Sequence, residues 1–352
     1  MTPLRPHSTL FLAALALALA ASAFSQDKPD RPPWARKPKP ASTSAPSSSP
    51  DGEPGKIVQP TTPAPTDDSQ DPTAQRGRIK VNVNLVNVLV SVLDEKNRPA
   101  PDLPIAAFQL FEEGVEQKID RFESETSQPL DLAIMIDSSL SAHKEMSFEQ
   151  EAAAHFIRQV LRQGDRLSVF AFDENVTQLA SFSDNVAELQ AAVHKIPSGA
   201  GTSIYDAVLL GSRALERRGD DRRRVIILVT DAGETTSRAD FDSARKEAVR
   251  SNALLYTIVI RPVKGESGRN TAGEHALETM TDNTGGAMFY PDSPQELQAI
   301  FDRIDRELRT QYLMAYYPAP RGPANTYRSI KVTVAPADYH VRHRTSYLTG
   351  PQ

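Results

Sequence analysis

The sequence predicts an α/β fold, with a doubly wound, mainly parallel sheet inserted into a small β-sandwich. Between residues 130 and 308, short apolar runs alternate with segments whose apolar residues recur at helical spacing. This alternation is typical of a parallel sheet covered by helices on both faces. The flanks on either side are β-prone, and neither has enough strands to bury both of its faces alone. We therefore expect the two flanks to pair into one sandwich.

The strands and helices of the predicted α/β region follow directly from this pattern. The candidate strands are 130–136, 166–172, 225–230, 253–260 and 287–290. Apolar stripes at helical spacing lie between them. The last helix should begin with Ser293 as its N-cap, Pro294 at its first position and Glu296 at its third.

Both flanks contain short runs of β-branched and aromatic residues. In the leading flank, order is expected from Ile79, with strands at 86–93, 108–111 and 115–122 separated by turns. In the trailing flank, the strand-like runs are 312–317, 330–334 and 339–347.

The first 76 residues differ from the rest in composition. Residues 10–21 form an apolar run that precedes small residues at 23–25, as in a secretory signal peptide, and the run is too short to span a membrane. Residues 26–76 hold 12 of the 27 prolines and lack a hydrophobic period, which is typical of an extended linker. We therefore divide the chain into a signal peptide (1–25), a linker (26–76), a β segment (77–126), the α/β domain (127–309) and a second β segment (310–348).

Composition and charge exclude several classes of function. The formal net charge is −5, so we expect no nucleic-acid partner. The chain has no cysteine, which excludes disulfides and thiol catalysis. No later run reaches 18 apolar residues, so the mature protein should contain no membrane span. We expect a protein of bacterial origin that is exported to the periplasm or beyond the cell. The sequence does not indicate the oligomeric state.

Three predicted loops at one edge of the sheet carry oxygen side chains. Asp137, Ser139 and Ser141 follow the first strand in a D-x-S-x-S pattern. Thr202 ends a glycine-rich loop before a helix, and Asp231 follows the strand 225–230. Open α/β sheets bind ligands at this edge, and hard oxygens favour Mg²⁺ or Mn²⁺. Each part alone is weak evidence, but together the three predict a cation site.

This combination resembles the von Willebrand factor A domain and its metal-ion-dependent adhesion site, over about residues 130–308. The resemblance implies that Ser139, Ser141 and Thr202 contact Mg²⁺ directly or nearly so. Asp137 and Asp231 would act through water or switch between direct and indirect contact. An Asp or Glu carboxylate of a protein partner would complete the octahedron, giving an adhesion or protein-binding module.

The flanks are similar to those of acidobacterial-type exported members of the family. The similar segments are 86–92, 108–114 and 312–318. Two positions depart from the family pattern: Ala232 replaces the usual glycine after Asp231, which should stiffen that loop, and Leu140 is large for its place.

Other interpretations of the same residues stay open at this point. The metal site could be vestigial, leaving a scaffold in which the sandwich binds partners. A metal-dependent hydrolase is conceivable if Asp137 and Asp231 activate a water, but the sequence contains no H-E-x-x-H, G-x-S-x-G or Walker pattern and offers no evident general base. Nearby carboxylates are expected to be solvated surface groups; they are Asp173, Glu174, Asp206 and Glu234.

Overall fold

The structure is a computed structural model that describes residues 85–124, 127–139, 146–219, 221–260, 270–293 and 296–350. The predicted signal peptide (1–25) and linker (26–76) lie outside these residues. So do Leu140 and Ser141 of the first predicted loop.

The described elements alternate between strands and helices in the middle of the chain. The strands are β1 (Val86–Leu93), β2 (Phe108–Glu112), β3 (Val115–Gln117), β4 (Arg121–Glu123), β5 (Leu130–Asp137), β6 (Arg166–Phe172), β7 (Val176–Ser183), β8 (Arg223–Thr230), β9 (Ala253–Val259), β10 (Ala287–Phe289), β11 (Tyr312–Tyr316), β12 (Tyr327–Val334), β13 (His340–His343) and β14 (Ser346–Leu348). The helices are α1 (Met146–Val160), α2 (Val186–Val193), α3 (Ile204–Glu216), α4 (Phe241–Arg250), α5 (Thr271–Thr284) and α6 (Glu296–Arg309).

The central sheet is mixed and largely parallel, which confirms the predicted fold class. Within the described part of the chain, its strand order is β10–β9–β8–β5–β6–β7, and β7 alone runs antiparallel to its neighbour. β5 and β8 lie at its centre and are buried along their whole length. Both faces are covered, so these strands are continuous apolar runs rather than alternating ones.

The helices form a layer on each face of this sheet. Side chains of α1, α2 and α6 pack with Leu132, Ile134 and Ile136 of β5. Side chains of α3, α4 and α5 pack on the opposite face with Ala133 and Met135. Successive residues of one strand thus serve two cores, as the period-2 geometry of a strand requires. No helix in the described residues is long and apolar enough to cross a membrane.

The two flanks form the predicted sandwich. Among the described residues its sheets have the orders β13–β1–β11–β4 and β14–β12–β2–β3, so each contains strands from both sides of the α/β region. Val88, Val90, Tyr312 and Met314 of one sheet share a core with Leu110 and other residues of the opposing sheet. The α/β region is therefore inserted between two halves of one β unit.

The structure differs from the prediction in two strand runs and in one strand that was not predicted. The run 115–122 is two strands, β3 and β4, which belong to opposite sheets. The run 339–347 is two strands, β13 and β14, which belong to opposite sheets and are separated by Arg344 and Thr345. The edge strand β7 was not predicted from the sequence. The helix α6 is described from Glu296, while Pro294 lies outside the described residues; the Glu296 side chain accepts from the Asp292 amide at 3.0 Å.

Candidate functional site

The three predicted oxygen-bearing loops lie at the same edge of the central sheet. We call the segment that follows β5 the first loop, residues 199–203 the glycine-rich loop, and residues 231–240 the third loop. Asp137 is the last residue of β5, and Asp231 follows the last residue of β8. Because β5 and β8 are parallel neighbours, both carboxylates leave the sheet at its carboxyl edge. Thr202 lies two residues before the start of α3, at the N-terminal end of that helix.

The first loop is joined to the glycine-rich loop by backbone contacts. Ser139 and Gly199 form a parallel β-bridge, and the Gly199 amide donates to the Ser138 carbonyl at 2.9 Å. The Ser138 amide in turn donates to the carbonyl of Phe172 in β6 at 2.8 Å. A Cβ on Gly199 would lie 2.0 Å from the Asp173 carboxylate, so this approach requires glycine.

The first loop is joined to the third through the carboxylate of Asp137, which is fully buried. One of its oxygens accepts from the Thr230 hydroxyl at 2.7 Å, and the other accepts from the Ser139 amide at 3.0 Å. The Thr230 hydroxyl also accepts from the Ala232 amide at 3.1 Å. Asp137 is thus fixed in place from both sides.

Burial raises the pKa of Asp137 from its usual 3.8 to about 6, and the negative charge of Asp231 adds a smaller contribution in the same direction. The hydrogen bonds from Thr230 and Ser139 oppose this rise. The two carboxylates therefore interact unfavourably when both are ionised. A cation between them would remove that repulsion.

The glycine-rich loop is joined to the third loop around Thr202, which is buried. Its carbonyl accepts from the amides of Thr235 and Thr236 at 2.9 and 3.1 Å, and its amide donates to the Thr235 hydroxyl at 2.9 Å. Each of the three loops is therefore hydrogen-bonded to the other two.

Two carboxylates near the site, Glu234 and Asp206, hold the third loop against α3. Glu234 accepts from the Tyr205 amide at 3.2 Å and from the Ser237 hydroxyl at 2.7 Å. In the other direction, Asp206 of α3 accepts from the amides of Arg238 and Ala239 at 3.0 and 2.9 Å. We call this reciprocal pair the carboxylate clamp.

The carboxylate clamp corrects the expectation that Asp206 and Glu234 are solvated surface groups. The position of Asp206 in the first turn of α3 suggests a cap for the amides of that helix, but the amides it accepts from belong to Arg238 and Ala239. The partners of Glu234 could not be read from spacing, since Tyr205 is 29 residues away.

Ala232 occupies an unusual conformation in the third loop. Its φ is +65°, in the left-handed region that disfavours residues other than glycine, and its side chain is fully buried. Its carbonyl lies against the first turn of α5, where a Cβ on Gly273 would be 2.1 Å from that oxygen. Ala232 therefore has a strained backbone conformation, and both its side chain and its carbonyl are closely packed.

The donor atoms suit a small hard cation. Asp137, Ser139, Thr202 and Asp231 supply carboxylate and hydroxyl oxygens at one sheet edge, and Ser141 lies outside the described residues. The adjacent Ser203 hydroxyl is buried without a hydrogen-bond partner in the described structure, so the glycine-rich loop holds one more oxygen that is available to a ligand. Among the described residues no cluster of three or more His, Cys, Asp or Glu could hold a metal. This donor set fits Mg²⁺ or Mn²⁺ better than zinc.

Comparison with known sequences finds one family match in this region. Residues 132–234 match the family model described as the von Willebrand factor type A domain. An uncharacterized protein of Synechocystis sp. is 26% identical over 178 residues, which cover 50% of this chain and 41% of that protein. The chain thus spans about two fifths of this curated relative.

Comparison with solved structures finds matches of low identity, and their TM-scores are below 0.5. A von Willebrand factor type A protein from Catenulispora acidiphila aligns with a TM-score of 0.46 at 12% identity, covering 78% of this chain and 76% of that one. The conserved hypothetical protein BatB from Bacteroides thetaiotaomicron aligns with a TM-score of 0.42 at 15% identity, covering 51% of this chain and 100% of that one.

Proposed function

We propose that this chain, which carries a von Willebrand factor type A domain, is an exported, non-enzymatic module that binds a protein partner through Mg²⁺. The group it recognises on the partner is an Asp or Glu carboxylate. Domains of this type mediate protein–protein interactions, and that general role is the premise from which the finer proposal proceeds.

One observation carries the proposal: the three oxygen-bearing loops converge and are hydrogen-bonded pair by pair. Ser139 meets Gly199, Thr202 meets Thr235, and Asp137 meets Thr230. Donors held in this way need little reorganisation to bind, so less of the binding free energy is lost to ordering loops.

The proposed ligands are Asp137, Ser139, Ser141, Thr202 and Asp231, with Mn²⁺ as an alternative to Mg²⁺. When bound, the cation would supply a positive charge with an open coordination position. Two of these side chains are carboxylates, which formally balance the charge of the cation, and three are neutral hydroxyls. The partner's carboxylate would therefore bind by filling the open coordination position, where it would replace water. The protein itself holds the ligand oxygens close together and shields the Asp137 carboxylate from water.

A thermal-shift titration tests the metal binding. Mass action predicts about 1.4 kcal/mol of stabilisation at a tenfold excess of Mg²⁺ over Kd. Asp231→Asn should abolish the shift, because it removes one of the two carboxylates among the proposed ligands. Asp338→Asn, at an exposed position in the sandwich, should leave it unchanged. The same small shift in all three proteins would contradict a specific site.

Capture from envelope extracts tests the partner. The partner should be retained with Mg²⁺, released by EDTA, and lost from Asp231→Asn. Retention in EDTA would favour the sandwich as the binding surface.

An activity assay tests the alternative that the protein is a hydrolase. Turnover of a phosphodiester with Mn²⁺ that disappears in Asp137→Ala would favour that alternative.

The proposed export rests on residues 1–25 alone. Cell fractionation of the full chain, compared with a chain that lacks these residues, should find the first outside the cytoplasm and the second inside it. Equal cytoplasmic retention of both would contradict export.

A further inference from the structure

A cavity of about 500 Å³ lies at the other end of the central sheet from the oxygen-bearing loops. Its lining includes residues 222–224 at the start of β8 and residues 252–254 at the start of β9. The beginning of β1 and residues of β14 close it on the side of the sandwich. Since β8 and β9 are parallel, this is the amino edge of the sheet, and the cavity is separate from the proposed cation site.

The cavity is strongly basic. Among the described residues that line it are five arginines and no aspartate or glutamate. Two of these arginines are neutralised by carboxylates that lie outside the lining: Arg222 pairs with Asp131 at 2.8 Å, and Arg250 pairs with Glu247 at 2.6 Å.

Arg224 donates to the Ser251 carbonyl at 2.8 Å. The remaining two arginines, Arg223 and Arg344, are hydrogen-bonded to neutral groups. The buried guanidinium of Arg223 donates to the carbonyl of Gln128 at 3.0 Å and to the carbonyl of Leu308. Arg344 donates to the Asn252 side chain and to the Asn87 carbonyl. These partners fix the positions of the two guanidinium groups without cancelling their charge.

The protonation state of both guanidinium groups follows from their surroundings. Burial lowers the pKa of Arg223 to about 10, with the charge of Arg309 adding to the effect, and burial lowers the pKa of Arg344 to about 10. Both remain cationic at neutral pH. The Arg344 guanidinium also lies 5.6 Å from the centre of the Tyr347 ring, a weak cation–π contact. The Asp165 carboxylate offsets part of this effect at Arg223. The hydrogen-bond partners of Arg344 are neutral, so an oxyanion in the cavity would interact favourably with its charge.

The rest of the lining is apolar. Leu85, Leu89, Leu254 and Leu313 contribute hydrocarbon surface to the same cavity. Its volume falls in the range of small-molecule sites, which combine apolar walls with a few fixed polar groups. The lining therefore favours a ligand with an oxyanion at one end and an apolar group at the other.

We propose that this cavity binds a small organic anion, a carboxylate or a phosphate monoester attached to a hydrocarbon chain. The guanidinium groups of Arg223 and Arg344 hold the oxyanion, since planar forks of N–H donors match carboxylate and phosphate oxygens. The leucines cover the hydrocarbon part. This binding does not depend on the proposed function, because it uses a different edge of the sheet and needs no metal.

Isothermal titration calorimetry of the full chain in EDTA tests the proposal. The probes are octanoate, octyl phosphate, inorganic phosphate and octanol. We expect saturable binding of octanoate or octyl phosphate at least tenfold tighter than that of octanol or inorganic phosphate. The better of the two octyl anions identifies the oxyanion. Because EDTA removes divalent cations, a signal here cannot come from the loops around Asp137.

Variants at the cavity complete the test. Arg344→Gln should weaken binding of the better octyl anion at least tenfold. Leu85 is 38% exposed, so Leu85→Glu should fold and place a negative charge beside the ligand, weakening binding by a similar factor, whereas the matched Leu85→Gln should not. Absence of binding by either octyl anion, or equal affinities in Leu85→Glu and Leu85→Gln, would overturn the proposal.

Discussion

At the scale of single residues, Asp137 combines two properties that oppose each other in the metal-free protein. It is buried at the centre of the sheet edge, yet it is ionised at pH 7 and lies close enough to Asp231 for repulsion. A group with a raised folded-state pKa binds its proton more tightly in the folded state than in the unfolded state. The folded state therefore loses stability as pH rises between the two pKa values.

The first prediction concerns this pH dependence. The rise from 3.8 to about 6 corresponds to a penalty of about 3 kcal/mol that is absent below pH 4 and complete above pH 6. In EDTA, the stability of wild type relative to Asp137→Asn should fall by about that amount between pH 4 and pH 7. Urea unfolding of both proteins across this range measures it. A constant difference would show that Asp137 keeps an ordinary pKa.

A second prediction concerns Ala232, whose φ of +65° lies in the left-handed region. Glycine would relieve about 1 kcal/mol of backbone strain but lose about 0.8 kcal/mol of buried methyl, so Ala232→Gly should change stability by less than about 1 kcal/mol. Ala232→Val should cost more than about 2 kcal/mol, because a β-branched residue is poorly tolerated there and the site is buried. Thermal unfolding of the pair distinguishes them; equal stabilities would contradict the strained conformation.

At the scale of elements, the inner strands of the central sheet and its edge strand β10 were predictable, whereas the other edge strand, β7, was not. β5, β6 and β8 are continuous apolar runs, and the sequence places each within two residues of its observed start. β7 was missed because half of the residues in Val176–Ser183 are polar and just one of the eight is buried, so its pairing with β6 is what makes it a strand. The break between β13 and β14 was missed because the switch of sheets at Arg344 depends on tertiary packing.

The contacts of the candidate site likewise divide into those that the sequence predicts and those that it does not. The sequence indicates Asp137, Thr202 and Asp231, because each stands at the end or the start of a recognisable element. The carboxylate clamp, in contrast, consists of contacts between segments about 30 residues apart. No spacing rule connects them until α3 and the third loop have been placed side by side.

The third prediction tests the carboxylate clamp. Glu234→Ala removes the acceptor for the Tyr205 amide and the Ser237 hydroxyl, which should cost about 1–2 kcal/mol. It should also weaken Mg²⁺ binding by about tenfold, as loss of groups that orient metal ligands typically does. Unfolding curves and Mg²⁺ titrations measure the two effects. Glu278→Ala, at an exposed position on α5, serves as the control, and unchanged Mg²⁺ affinity in Glu234→Ala would limit the clamp to stability.

At the scale of the whole described molecule, a buried ion pair joins the α/β region to the sandwich. Glu307 of α6 bonds Arg342 of β13, and its other oxygen accepts from the Tyr256 hydroxyl of β9 at 2.9 Å. Glu307 is 1% exposed and the Arg342 side chain is 23% exposed, so the pair is screened by salt less than a surface pair would be. The contact ties the last helix, the central sheet and the sandwich together.

The fourth prediction is that these parts unfold as one unit and that the pair supports this cooperativity. Glu307→Gln leaves the Arg342 charge uncompensated and should cost about 3–5 kcal/mol. Adding Arg342→Met should recover part of that loss, since the unpaired charge is then gone. Calorimetry checks both points. Two separate transitions in the wild-type protein would contradict joint unfolding, and an additive double variant would show that the two residues are not coupled.

The close approach of the Ala232 carbonyl to Gly273 has a consequence for how the carboxyl edge recognises ligands. Because the Ala232 carbonyl packs directly against Gly273, the residue next to Asp231 has little room to move toward α5. If the proposed site binds a cation, we expect it to discriminate by ionic radius: ions the size of Mg²⁺ or Mn²⁺ would match a fixed set of oxygens, and Ca²⁺, which needs more ligands at longer distances, would be disfavoured.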